Sequence, residues 1–204
     1  MAENKFVAQF SVTEAVAVKQ LKATIPDILT DVYGSDDIYT LWGVELDAKS
    51  DDERLLVVLI KFLRENELDI TKAKEMLINT LTWRKEMSVD DISDEKFDHD
   101  VFNDNVGCIY KNDKEGRPVI YNFYGGIDQE KVFGDIERFI RWRIQLLEEA
   151  IQHIDFIHTD ATTQVHDYKG ASIFGRTANT KEATSRLIQT TKNYYPGFLA
   201  SLFT

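Results

Sequence analysis

The sequence predicts an α/β protein in which an N-terminal helical lobe precedes a lobe of mixed strands and helices. Two observations carry this prediction. Residues 12–23, 54–65 and 70–87 read as helices, the first and last with apolar side chains at helical spacing and the middle one strongly apolar. From residue 106 onward, short runs rich in Val, Ile, Tyr and Phe alternate with long amphipathic segments, which is the pattern of an α/β layer. The expected division is a helical lobe over 1–90 and an α/β lobe over 91–204.

Taken in order, residues 12–23 set Ala15, Val16, Val18, Leu21 and Ala23 loosely on one side of a helix. Pro26 opens a second short helix, because its fixed φ suits a first helical turn, and Gly34-Ser35-Asp36-Asp37 ends it. Residues 38–46 read as an apolar loop packed onto the body, and 48–52 as a polar connector. Residues 54–65 form a strongly apolar helix. Asp69 can cap the next helix, 70–87, where Ala73, Met76, Leu77, Thr80, Leu81 and Arg84 share a face. The acidic stretch 88–104 reads as a solvated linker. Residues 106–110 and 118–123 are predicted strands, joined by a hairpin loop over 112–116 with Gly116 where φ is positive. One long helix is expected over 129–153, a strand near 163–168 and a helix over 180–191.

Composition bounds the function. With 204 residues, 43% hydrophobic and 11% aromatic, the chain can bury a sizeable core. A formal net charge of -11 argues against nucleic acid, whose backbone is bound by basic faces. It also disfavours broad electrostatic docking on anionic lipid. Cys108 is the only cysteine, so no internal disulfide forms and a reducing, cytosolic setting is expected. The longest apolar run, 55–60, is far too short to span a bilayer; the chain is expected to be soluble, or peripheral at most.

The segment Gln164-Val165-His166-Asp167-Tyr168 carries the chemistry. In a strand, Thr162, Gln164, His166 and Tyr168 point one way, and Thr163, Val165 and Asp167 the other. His166 and Tyr168 then lie about 7 Å apart along one face. A phenol beside an imidazole can ligate ferric iron, since tyrosinate is a known axial ligand of haem; the plainer alternative is an ordinary polar pocket.

Several motifs resemble the CRAL-TRIO lipid-binding family. Leu59-Ile60-Lys61-Phe62-Leu63-Arg64, the run 69–77 and Trp83-Arg84-Lys85 look like its N-terminal helical lobe. Asp113-Lys114-Glu115-Gly116-Arg117-Pro118-Val119 is similar to its first hairpin. Asp167-Tyr168-Lys169-Gly170 and Asn193-Tyr194-Tyr195-Pro196 match its central strand and a later helix end. The resemblance implies an α/β lobe holding one apolar cavity, and a carrier or sensor of lipid, not an enzyme. It also implies phosphatidylinositol as ligand, transient peripheral membrane contact, and a cytoplasmic location with peripheral association at the endoplasmic reticulum or microsomal membrane.

A narrower resemblance, carried by Leu41-Trp42-Gly43-Val44-Glu45-Leu46 and Gln164 to Tyr168, is to a fungal subgroup of non-classical phosphatidylinositol transfer proteins that bind haem b in that cavity. It implies haem contacts at Tyr121, Arg141, His166 and Tyr168, with Tyr168 the axial iron ligand and His166 beside the metal, and a link to oxidant response. Taken alone, Arg141 would simply pair with Glu137 one helical turn away. Classical members carry a basic pair where this chain has Asn66-Glu67, and Glu67 would repel a phosphate. Phosphatidylinositol transfer is the alternative reading. A peroxidase-like enzyme would need a distal acid–base group that the sequence does not identify, and a pure interaction module would need no cavity. After Tyr195-Pro196 the family continues with another strand and a gating helix. The chain, which stops at Thr204, is therefore expected to leave an open sheet edge, an uncovered apolar face and a tendency to self-associate.

Overall fold

A computed structural model describes residues 4–171 and 177–204. The chain forms two compact units. The first comprises residues up to Met87 together with Asp155–Asp160 and Asn193–Phe198; the second comprises Ser88–Ile154, Ala161–Lys192 and Leu199–Thr204. The predicted boundary near residue 90 is thus only the first of several crossings.

In the first unit, α1 (Val12–Ala23) starts at a capping box, with Ser11 and Glu14 satisfying each other's backbone N–H. α2 (Ile25–Tyr33) carries Pro26 in its first turn and ends at Gly34, whose φ of 80° is a glycine conformation. The stretch expected to be an apolar loop is a hairpin of β1 (Tyr39–Leu41) and β2 (Val44–Leu46). Its two turn residues, Trp42 and Gly43, have φ of 52° and 75°, as a tight hairpin requires. A tryptophan at the first turn position hid the signal, because Asn, Asp or Gly normally stands there.

α3 (Glu53–Glu65) and α4 (Ile70–Glu86) begin at Asp52 and Asp69, whose carboxylates accept from backbone N–H groups of their first turns. Trp42 packs against Phe62, Tyr195 and Phe198, and Trp83 stacks on Tyr194 at 4.3 Å. Apolar burial by these rings is what brings the late segments into this unit. Lys61, buried on α3, donates to Asp160 Oδ2 at 3.1 Å and to the Gly197 carbonyl at 3.0 Å.

The second unit opens with a 3-10 turn at Val89–Asp94. The expected solvated linker is instead anchored: Val89, Ile92, Phe97 and Phe102 are buried. Gln145 Nε2 donates to the Ile92 and Glu95 carbonyls at 2.6 and 2.9 Å. The apolar residues are too widely spaced to give a periodic signal, yet each finds a place beside the same helix.

A four-stranded sheet runs β3 (Gly107–Asn112), β4 (Pro118–Phe123), β5 (Thr162–Asp167), β6 (Leu199–Phe203), in that order. β3 pairs antiparallel with β4, and β4–β5 and β5–β6 are parallel. The further strand expected to be missing after Pro196 is therefore present as β6. Leu199, Leu202 and Phe203 on it are exposed. The single helix expected over 129–153 is two, α5 (Gln129–Phe133) and α6 (Ile136–Gln152), because the Asp135 side chain accepts from Arg138 N at 3.0 Å and starts a new helix. α6 packs on β3 and β4, and α7 (Ala178–Tyr194) precedes β6. Among the described residues no helix is long and apolar enough to cross a membrane.

Candidate functional site

Register decides which side chains meet. Gly107, Asn122 and His166 are cross-strand partners in one row of the sheet; Cys108, Tyr121 and Val165 form the next row. Neighbouring rows face opposite sides. The side of Gly107, Asn122 and His166 is the one on which α6 lies, since the space above Gly107 is taken by Arg143 and Trp142 of that helix.

On that side, at the carboxyl ends of β4 and β5, three rings gather. Tyr124 and Tyr168 stack with centroids 4.8 Å apart and planes 11° from parallel. His166 lies 5.5 Å from Tyr124 and 6.3 Å from Tyr168. Backbone geometry imposes the stack. Tyr124 N donates to the Asp167 carbonyl at 2.9 Å, extending the ladder one residue beyond β4. The following Gly125 then passes so close to Lys169 that a Cβ would collide with its carbonyl. Gln164 Oε1 lies 3.3 Å from His166 Nε2. Tyr168 is 40% exposed, so the cluster opens to solvent on one side.

Beneath the rings the site is buried and polar. Arg143 is only 8% exposed, and among the described residues its guanidinium forms no ion pair or hydrogen bond; its charge faces His166 and the Tyr124 phenol. Burial pushes the Arg143 pKa down, opposed by Tyr124. Burial, and then the Arg143 charge, lower His166 to about 4, so its imidazole is neutral at pH 7 and can act as a ligand or acceptor. Asn122 is 1% exposed, and neither its amide nitrogen nor its amide oxygen has a partner.

The four residues expected to contact haem are not all gathered here. His166 and Tyr168 are neighbours, as their spacing requires. Arg141 is turned away, donating to Glu95 Oε2 at 2.6 Å, while Glu137, its expected partner, pairs with Arg186. Two residues along a helix correspond to a rotation of about 200°, so Arg141 and Arg143 project from opposite sides of α6. Tyr121 stands one row off and faces the other side of the sheet. There it stacks near Phe123 at 6.1 Å and lines an open, mainly apolar groove of about 630 Å³ with Cys108, Tyr110 and Val165, a groove that His166 and Tyr168 also line where the strands end.

Sequence reasoning missed Arg143, Asn122 and Tyr124. Strand alternation from Asn122 to Tyr124, followed by the glycine pair at 125–126, was the available signal. Among the described residues no three His, Cys, Asp or Glu side chains are grouped to hold a metal ion. Two donors such as His166 and Tyr168 suit a metal that brings most of its own ligands, as a porphyrin does.

Comparison with known proteins agrees with this architecture. Residues 102–204 match the CRAL/TRIO domain and residues 17–79 the CRAL/TRIO N-terminal domain. The chain is 34% identical over 201 residues to the phosphatidylinositol transfer protein SFH5 of Phaeosphaeria nodorum, covering 87% of this chain and 59% of that protein. It is 32% identical over 211 residues to SFH5 of Cryptococcus neoformans, covering 94% and 70%, and 34% identical over 207 residues to Patellin-5 of Arabidopsis thaliana, covering 97% and 29%. The chain thus spans between about a quarter and two thirds of the length of most of the curated relatives it matches. The crystal structure of Sfh5 superposes with a TM-score of 0.82 at 26% identity, covering 94% of this chain and 70% of that one. With both of its domain models matched in order on a helical unit and a mixed sheet, the chain belongs to the CRAL/TRIO family.

Proposed function

We propose that this chain is a phosphatidylinositol-transfer-type carrier whose cavity binds haem b, with Tyr168 as the axial ligand and His166 adjacent. The observation that carries the reading is the placement of Tyr168 and neutral His166 on one sheet face beside the buried Arg143. Haem supplies a ferric iron already held by its porphyrin nitrogens and open to a further oxygen or nitrogen donor. Tyr168 would supply that oxygen as its phenolate. Arg143 supplies a permanent positive charge that favours negative charge in its neighbourhood. Tyr124 holds the Tyr168 ring by stacking and offers a flat wall to a flat ligand. His166, uncharged at neutral pH, adds a nitrogen donor or acceptor next to the metal. In this reading Arg143 takes the place first expected of Arg141.

The second reading, binding and transfer of phosphatidylinositol between membranes, is favoured by the names of the fungal relatives. It entails transient peripheral contact with a membrane. A cytoplasmic protein visiting the endoplasmic reticulum and serving oxidant response fits either ligand, and neither reading needs catalysis.

Absorption spectroscopy of freshly purified protein tests the first reading: a ferric high-spin spectrum is expected, and an iron-free protein that refuses added hemin while natively folded overturns it. Transfer of labelled phosphatidylinositol between vesicles tests the second, and no transfer by folded protein removes it.

A further inference from the structure

We infer that Asn122 and Arg143 form a receptor for an oxyanion carried by the bound molecule, in the floor of the Tyr168–His166 site. This inference rests on the proposed ligand site but concerns a different part of the ligand from the part Tyr168 would hold. Asn122 stands on the inner strand β4, between Gly107 on β3 and His166 on β5. A buried side-chain amide with both atoms unpaired is unfavourable, and native proteins retain one chiefly where something else satisfies it. Arg143 is the second, independent sign, a guanidinium more than nine-tenths buried with no carboxylate paired to it among the described residues.

Among the described residues no carboxylate pairs with that charge, which lies 5.6 Å from the Trp142 ring centroid and faces the Tyr124 phenol. Glu95, which packs against α6, is engaged by Arg138 and Arg141. Asp167 faces the other side of the sheet with Phe123. His166 is neutral and supplies no negative charge. Gly107 makes room for the guanidinium itself: a Cβ there would stand 3.0 Å from Arg143 Nη1 and 3.2 Å from Trp142 Cη2. A planar fork of N–H donors beside an amide nitrogen matches a carboxylate or phosphate oxygen. The rings of Tyr124, His166 and Tyr168 above it match an apolar or aromatic body. The ligand class is therefore an amphipathic molecule with an acidic group. The acidic group is either the carboxylate of a porphyrin or the phosphodiester of an inositol phospholipid.

Titration with hemin and with hemin dimethyl ester, in which the carboxylates are blocked, tests the receptor directly. Wild-type protein is expected to prefer the free acid by roughly tenfold or more, the scale of a charge-assisted hydrogen bond. Arg143→Met and Asn122→Leu are expected to lose the preference while the ligation band due to Tyr168 persists, and Arg143→Lys to keep part of it. Equal affinity of the wild type for acid and ester overturns the receptor and leaves the axial role of Tyr168 standing.

If neither porphyrin binds, the haem reading fails, and inorganic phosphate decides for the receptor. The Asn122 side-chain amide resonances should shift on phosphate addition in the wild type and not in Arg143→Met. Unmoved resonances in the wild type overturn the proposal. Reversal of that shift by phosphatidylinositol vesicles assigns the phosphodiester.

Discussion

At the scale of single residues, His166 gives the site a pH signature. Its folded pKa of about 4 lies below the value near 6.5 of an unperturbed imidazole, so between these limits the unfolded chain binds the extra proton and the folded one does not. Stability contributed by keeping this ring neutral is therefore complete above about pH 6.5 and is lost as pH falls toward 4. The ring is only half-buried, and after solvent screening the loss amounts to on the order of 1 kcal/mol. Urea melts of the ligand-free protein at pH 7 and pH 4.5 should show this difference shrinking in His166→Asn relative to wild type. An identical pH slope in the two proteins would contradict it.

The same scale shows what sequence could reveal about the site. A spacing of two in a strand fixes His166 and Tyr168 on one face without any other knowledge. Choosing between Arg141 and Arg143 needs the rotational phase of α6 against the sheet, which no local pattern supplies. Placing Tyr121 needs the β4–β5 register, and a one-residue change in register turns a side chain to the opposite face.

Among the elements, capping chemistry made the helices legible. Asp69 and the proline–glycine bracket of α2 place their ends to within a residue or two. The β1–β2 hairpin and the 89–94 turn were not legible. One uses Trp42 in a conformation that tryptophan rarely adopts, and the other buries isolated apolar residues without a period.

α3 carries a further prediction through Lys61. Its ammonium is 4% exposed and its partner Asp160 is 26% exposed, so the pair is held mostly out of water. Asp160→Ala would leave a buried charge with only the Gly197 carbonyl and the Phe198 ring, 4.7 Å from Nζ, and should destabilise the fold by about 3 kcal/mol. Lys61→Met removes the charge itself and should cost less, because the stem remains packed. Chemical denaturation of both variants checks the order. A larger loss in Lys61→Met than in Asp160→Ala would show that the ion pair stabilises beyond its desolvation cost.

For the whole molecule, alternation of strands and helices revealed the class, but not the two returns of the chain to the first unit. Those returns depend on Tyr195 and Phe198 burying their rings beside Trp42, more than a hundred positions earlier, and on the Asn4 side chain donating to the Phe156 carbonyl; long-range pairings leave no local trace. In the second unit, exposed Leu199, Leu202 and Phe203 lie on the outermost strand, with an open apolar groove on one sheet face. Unpaired backbone and bare apolar side chains together promote edge-to-edge pairing. Light scattering should accordingly detect concentration-dependent association, reduced in Leu202→Lys. A wild-type protein that stays monomeric at every accessible concentration would argue otherwise.

Two tyrosines border the candidate site, Tyr168 beside Arg143 and Tyr121 in the groove that His166 and Tyr168 also line. Side-by-side hemin titration of Tyr168→Phe and Tyr121→Phe distinguishes them most directly. Loss or a marked shift of the Soret band in Tyr168→Phe, with a wild-type band and affinity in Tyr121→Phe, is the predicted result. An unaltered band in Tyr168→Phe, or its loss in Tyr121→Phe alone, would contradict the assignment of the site to the face that α6 covers.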